Sequence, residues 1–116
     1  MLFLSDIQAE AVPGENLPKI NDRPMIGLLT QPLLEEDKKD PRFKGYHSFI
    51  MKTYVTFLEA SGARVVPLIF GNDFEQEAAK LTHLNGVFYA GGRAPTEYQQ
   101  FARQIFDRVK AFNDAG

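Results

Sequence analysis

Apolar residues recur at helical spacing from Ile50 to Leu58. Ile50, Tyr54, Phe57 and Leu58 stand at i, i+4, i+7 and i+8, with Lys52, Thr56 and Glu59 opposite them. The spacing predicts a helix with one apolar face. Ser61-Gly62 predicts its end, because glycine takes the left-handed position after a helix without a Cβ clash. The period then changes. Arg64-Val65-Val66-Pro67-Leu68-Ile69 is apolar and β-branched without alternation, the pattern of a strand buried on both faces of a parallel sheet.

Similar signals flank this unit. Residues 25–30 predict a first strand, ended by Pro32, which cannot donate to a central ladder. Asp73 with Gln76 predicts the cap of a short helix carrying Phe74, Ala78 and Leu81 on one stripe. Residues 86–90 predict a third strand, followed by Gly91-Gly92. Thr96 with Gln99 is a second capping-box candidate, opening a helix over 97–113 with Tyr98, Phe101, Ala102, Ile105, Val109 and Phe112 on its apolar stripe. Gly116 fits the position just past that helix. The aromatic set Tyr98, Phe101, Phe106 and Phe112 reads as core, since no basic groove accompanies it as a single-strand platform would need.

Strands alternating with helices predict an α/β fold: a flavodoxin-like three-layer α/β/α arrangement with a parallel sheet in the order 2-1-3, incomplete as it stands. Residues 1–22, with Pro13-Gly14 and Pro18, show no sustained period and read as a tail. Residues 23–116 form the domain. Residues 33–45 read as a loop. Its charge run Glu35-Glu36-Asp37-Lys38-Lys39-Asp40 nearly cancels and reads as a solvated surface rather than an acid–base or metal pair.

Composition narrows the chemistry. At 116 residues there is room for one core. A net charge of -2 gives no case for nucleic acid or an anionic membrane, and no apolar run approaches the ~20 residues of a bilayer span. The 116 residues contain no cysteine, which excludes disulfides, thiolate metal sites and a cysteine nucleophile within them. His47 and His83 lack partners at metal-ligand spacing and read as surface or helix-end residues. Gly91-Gly92 lacks both dinucleotide-loop spacing and a phosphate-loop lysine. No cofactor or metal is expected. Met1-Leu2-Phe3-Leu4 is apolar but interrupted by Asp6 with no basic residues before it. It reads as a flexible start or as the remnant of a secretory signal.

In an open parallel sheet, sites form beyond the carboxyl ends of the strands. Gln31, Phe70-Gly71-Asn72 and Gly91-Gly92-Arg93 lie there. The glycine pair lets backbone approach a ligand and aim N–H groups at a developing oxyanion, or it is simply a tight turn. Arg93 suits a bidentate carboxylate contact, the filling of a cleft, or solvent.

Tyr54-Val55-Thr56-Phe57-Leu58-Glu59-Ala60-Ser61-Gly62-Ala63-Arg64-Val65-Val66-Pro67-Leu68 resembles the first helix and second strand of gamma-glutamyl hydrolases, members of the class I glutamine amidotransferase-like cysteine hydrolases. Arg23-Pro24-Met25-Ile26-Gly27-Leu28-Leu29-Thr30-Gln31 is similar to the family's first strand. Ser48-Phe49-Ile50 is similar to the Ser-Tyr-Ile run opening its helix, and Leu84-Asn85-Gly86-Val87-Phe88 with Gly91-Gly92 to its third strand and following turn. The resemblance covers residues 23–116. It implies the N-terminal part of a hydrolase that cleaves gamma-glutamyl bonds of folate polyglutamates or gamma-glutamyl peptides through a cysteine and a histidine, in a lysosomal, vacuolar or secreted setting. It implies an oxyanion role for the backbone of Gly91 and Gly92; Arg93, Gln31 and Ser48 stand with them as further oxyanion or substrate-binding candidates. Two departures stand out: Ala90 replaces the family's proline and Arg93 its small polar residue. The family's nucleophile would follow on a later turn, so the chain alone is expected to be inactive, and to pair with the missing C-terminal half or self-associate. The alternative is a non-catalytic binding module retaining half of the fold.

Overall fold

The computed structural model describes residues 21–92 and 94–116. In chain order the elements are β1 (Met25–Leu29), β2 (Gln31–Pro32), α1 (Glu35–Lys38), a 3₁₀ turn (Pro41–Phe43), β3 (Ser48–Phe49), α2 (Lys52–Ala60), β4 (Arg64–Leu68), α3 (Phe74–Ala79), a second 3₁₀ turn (Lys80–His83), β5 (Gly86–Phe88) and α4 (Thr96–Asp114). β1 pairs in parallel with β4 on one side and β5 on the other, giving the predicted 2-1-3 order.

Strand parity assigns the helices to faces. Ile26 and Leu28 point one way and pack with Leu58 of α2 and Ala63. Leu29 and Leu68 point the other way and pack with Ala78, Leu81, Tyr98, Phe101 and Ile105 from α3, the turn after it and α4. Helices therefore cover both faces, a partial flavodoxin-like α/β fold.

Gly62 ends α2 as its position predicts. Its φ is +94°, Gly62 N–H donates to the Glu59 carbonyl and Ala63 N–H to the Leu58 carbonyl at 3.0 and 3.1 Å, and the Ala63–Leu58 contact seals the turn. The helix begins at Lys52, however, so Ile50 precedes it. Ile50 still packs against the Leu58–Ala63 cluster from before the helix, and within α2 the buried arc runs over Tyr54, Val55 and Leu58. Phe57, one residue and about 100° from Leu58, is left 61% exposed.

Other boundaries also shift. β4 is half-buried rather than covered on both faces, because it is an edge strand. Pro67 suits that edge, where a missing N–H costs no ladder bond, and Lys80 Nζ donates to the Pro67 carbonyl at 3.1 Å. Residues 33–45 are not all loop. Leu34 N–H donates to Asp37 Oδ2 at 3.2 Å and starts α1, while Asp40 caps the 3₁₀ turn through Arg42 N–H. Pro32 lies in a short antiparallel ladder with Ser48. β5 stops at Phe88, two residues short of the predicted end.

The N-cap of α4 is Pro95, not Thr96, and Gln99 reaches back to the Ala94 carbonyl at 2.9 Å. Proline needs no N–H where a helix starts. Asp73 does cap α3, accepting from Gln76 N–H at 3.2 Å, and Gly116 takes φ +91° after α4. Phe106 and Phe112 are exposed rather than core. Phe106 lies one residue off the buried Ile105, and Phe112 lies beyond the part of α4 that buries Tyr98, Phe101 and Ile105.

Gly27 shows how tightly the sheet meets its cover. A Cβ there would stand 2.6 Å from Leu84 Cδ1 and 3.0 Å from Leu68 Cδ1. Gly27→Val should therefore destabilise the domain by about 1–3 kcal/mol through overpacking, read as a lower urea midpoint at unchanged slope. An unchanged midpoint would mean that Leu84 moves aside without cost.

Candidate functional site

Four of the five residues singled out in the sequence stand beyond the carboxyl ends of the strands: Gln31, Ser48, Gly91 and Gly92. Arg93 lies outside the described residues. Gln31 follows β1 by two residues, and its Nε2 donates to the Gly91 carbonyl at 3.2 Å. This bond ties the end of the central strand to the turn after β5. Gly92 adopts φ +131°, a conformation that side chains with a Cβ rarely take. A Cβ on Gly92 would meet only Gln31 Nε2, at 3.8 Å, and one on Gly91 would meet nothing within 4 Å. The backbone of the pair is thus open to a ligand.

Ser48 enters through a residue the sequence reading missed. Thr30 is 5% exposed. Its hydroxyl donates to Ser48 Oγ at 2.9 Å and accepts Phe70 N–H at 2.8 Å, while its own N–H donates to the Leu68 carbonyl at 2.9 Å. One hydroxyl therefore joins the ends of β1, β3 and β4. The segment Phe70-Gly71-Asn72 is held from its other side by Glu77, also missed. Glu77 Oε2 accepts Ile69 N–H at 2.9 Å and Lys80 Nζ at 2.6 Å, and Oε1 accepts Asn72 Nδ2 at 2.9 Å. A signal for Glu77 existed: it sits three residues after Phe74 and four before Leu81, a carboxylate on the apolar stripe of its helix.

Two clefts open above this frame. One, about 540 Å³, lies between Leu33, Lys38, His47, Phe70, Gly71 and Glu97. The other, about 370 Å³, is bounded by Thr30, Tyr46, Ser48, Phe49, Phe70 and Asn72. His47 borders both, while His83 ends the second 3₁₀ turn on the surface. No group of three or more metal-ligating side chains forms among the described residues. Burial, then the Tyr98 phenol and the Asp107 carboxylate, push the Tyr89 phenol up to about 12. Tyr89 is therefore a hydrogen-bond donor near neutral pH and not a base.

An open glycine turn braced by a glutamine amide, at the same end of the sheet as these clefts, has backbone N–H groups of the kind that hold a polarised carbonyl. No family model matches the chain. Similarity to individual proteins is clear. The chain is 40% identical over 108 residues to a protein of Arabidopsis thaliana named probable gamma-glutamyl hydrolase 3, covering 85% of this chain and 30% of that protein. The chain matches part of a gamma-glutamyl hydrolase. Gamma-glutamyl hydrolase 1 of the same plant is 39% identical over 102 residues, 85% of this chain and 28% of its own length. The gamma-glutamyl hydrolase of Rattus norvegicus is 33% identical over 103 residues, 89% of this chain and 31% of its own. The chain thus spans about 30% of the length of the curated gamma-glutamyl hydrolases it matches.

Proposed function

We propose that this chain supplies the N-terminal part of a gamma-glutamyl hydrolase that cleaves gamma-glutamyl bonds of folate polyglutamates or gamma-glutamyl peptides. Residues 23–116 serve as part of the α/β domain, and the tail expected over residues 1–22 lies, up to residue 20, outside the described residues. The backbone of Gly91 and Gly92 provides an oxyanion donor, Gln31 braces that turn, and Ser48 and Arg93 border the substrate. The observation that carries this reading is the 3.2 Å bond from Gln31 Nε2 to the Gly91 carbonyl, which holds an open glycine turn above the sheet. Similarity to proteins named gamma-glutamyl hydrolase supports it.

Catalysis by this route needs a nucleophile, and none of the 116 residues is a cysteine. Residues 1–116 alone should therefore leave gamma-glutamyl substrates intact. Turnover above a buffer blank that follows the chain through purification would contradict this. The positive test is a chimera in which residues 23–116 replace the matching segment of gamma-glutamyl hydrolase 1 of Arabidopsis thaliana. It should hydrolyse gamma-glutamyl substrates. A folded chimera with no activity would overturn the reading.

A further inference from the structure

Where β1, β3 and β4 meet, the hydrogen bonds have one direction. The Thr30 hydroxyl accepts Phe70 N–H at 2.8 Å, and an amide N–H can only donate. The same hydroxyl stands 2.9 Å from Ser48 Oγ. One of the two hydroxyls must donate there. Were it Ser48, Thr30 would accept twice. Its own proton, on a residue 5% exposed, would then have no acceptor among the described residues. A buried donor without an acceptor is costly. The proton therefore runs from Thr30 to Ser48.

The donors read Phe70 N–H, Thr30 O–H, Ser48 O–H, and only the last proton is unspent. Ser48 is half-buried, donates to no acceptor among the described residues and borders the cleft of about 370 Å³. Donors aligned head to tail polarise one another, so Ser48 faces that cleft as a strengthened donor. No side-chain base hydrogen-bonds it among the described residues, so it is not an activated nucleophile.

The lining of the cleft selects what Ser48 meets. Tyr46, His47 and Asn72 are the other polar side chains beside Thr30, and there is no lysine, arginine, aspartate or glutamate. The larger cleft differs, with Glu35, Lys38 and Glu97. A carboxylate in the smaller cleft would give up hydration with no lysine or arginine to replace it, whereas a neutral carbonyl needs only a donor. Phe49, Ile69 and Phe70 supply apolar walls.

We propose that Ser48 donates to the carbonyl oxygen of an amide bound in this cleft, and that Thr30 is the positioning residue that aims it. The binding stands by itself; only the identity of the amide rests on the hydrolase reading, where it is a non-reacting carbonyl of the gamma-glutamyl substrate. The reacting carbonyl belongs to the Gly91-Gly92 turn, so Ser48 acts in binding rather than in the chemical step.

The test reads binding by the whole chain. Backbone amide signals are followed by NMR during titration with N-methylacetamide, a neutral amide, and separately with acetate. N-methylacetamide should shift the Ser48 and Phe70 signals along a saturable curve, and acetate should not. Ser48→Ala should weaken that binding roughly 3- to 10-fold, the loss of one neutral hydrogen bond. Thr30→Val should weaken it equally and add nothing in a Ser48→Ala background, because the two hydroxyls act as a unit. Thr30→Ser, which keeps the hydroxyl, should bind as the parent does. If Thr30→Val fails to fold, Ser48→Ala and Thr30→Ser still decide. A chain that binds acetate as well as the amide, or binds neither, would overturn the proposal. So would parent-like binding by Ser48→Ala, or a Thr30→Val loss that persists without the Ser48 hydroxyl. In the chimera, Ser48→Ala should raise KM by the same factor at nearly unchanged kcat. A loss confined to kcat would separate Ser48 from substrate binding, and an inactive parent chimera would strike the hydrolase reading alone.

Discussion

Glu77→Ala should destabilise the domain by about 3 kcal/mol, a shift of roughly 100-fold in the folding equilibrium. The side chain is 3% exposed, yet it is satisfied by Ile69 N–H, Asn72 Nδ2 and Lys80 Nζ. Alanine leaves the Ile69 N–H without its acceptor and the Lys80 ammonium without its counter-ion. Breaking one side of a buried charged network costs more than the pair contributes, because the remaining groups keep their desolvation penalty. Exposure of Lys80, whose side chain is 34% accessible, holds the cost near the lower part of the range for fully buried pairs.

The same carboxylate makes stability depend on pH. Burial raises its pKa, but the Lys80 hydrogen bond, the Ile69 N–H, the Asn72 amide and the Lys80 charge together outweigh burial and hold it below the ordinary glutamate value. The folded protein thus releases this proton more readily than the unfolded chain. Its stabilisation is complete above the ordinary glutamate range and is lost as pH falls through the lower folded value. Glu77→Gln should remove that part of the acid sensitivity, seen as a shallower fall in melting temperature below about pH 4.3. Identical acid profiles for Glu77→Gln and the parent chain would show that other carboxylates carry the effect.

Glu77 also marks the limit of what the sequence discloses. Strand order, the glycine stop of α2 and the cap at Asp73 were readable because each rests on local backbone rules: β-branched runs, a left-handed glycine, an aspartate before a helix. The buried face of α2 was read to one side, because Val55 and Phe57 lie about 60° and 100° to opposite sides of Leu58 and only the sheet it meets decides between them. Val55 packs on the Leu58 cluster and Phe57 is left exposed. Helix α1 went unread because its Glu35–Lys38 span has no apolar stripe and rests on the Leu34–Asp37 contact. At the candidate site, Gln31 and the glycine pair followed from topology, since both lie past strand ends. Thr30 and Glu77 were invisible as organisers because their partners are 18 to 40 residues away in one case and in a neighbouring loop in the other. Periodicity reports which face a residue occupies, not which segment it meets.

The glycine turn is where a single change should cost most in activity. In the chimera described above, Gly92→Val should reduce kcat by ~10²–10³ with a smaller change in KM, the signature of a lost oxyanion donor rather than lost ground-state binding. The reason lies in backbone conformation rather than space. A Cβ on Gly92 has room, with Gln31 Nε2 3.8 Å away as its nearest neighbour. A β-branched residue at φ +131° is strained, however, and relieves the strain by turning the peptide, which re-aims its N–H. The exposed position of the turn keeps the core clear of the change, so the melting temperature should move little. Gly91→Ala supplies the contrast: the Gly91 φ is not positive and its Cβ meets nothing within 4 Å, so its kcat should stay within a few-fold of the parent. Gln31→Ala removes the brace at the Gly91 carbonyl without straining the turn, and its kcat should fall between the two. A Gly92→Val chimera with unaltered kcat would make the turn purely structural and would take the oxyanion role away from this segment.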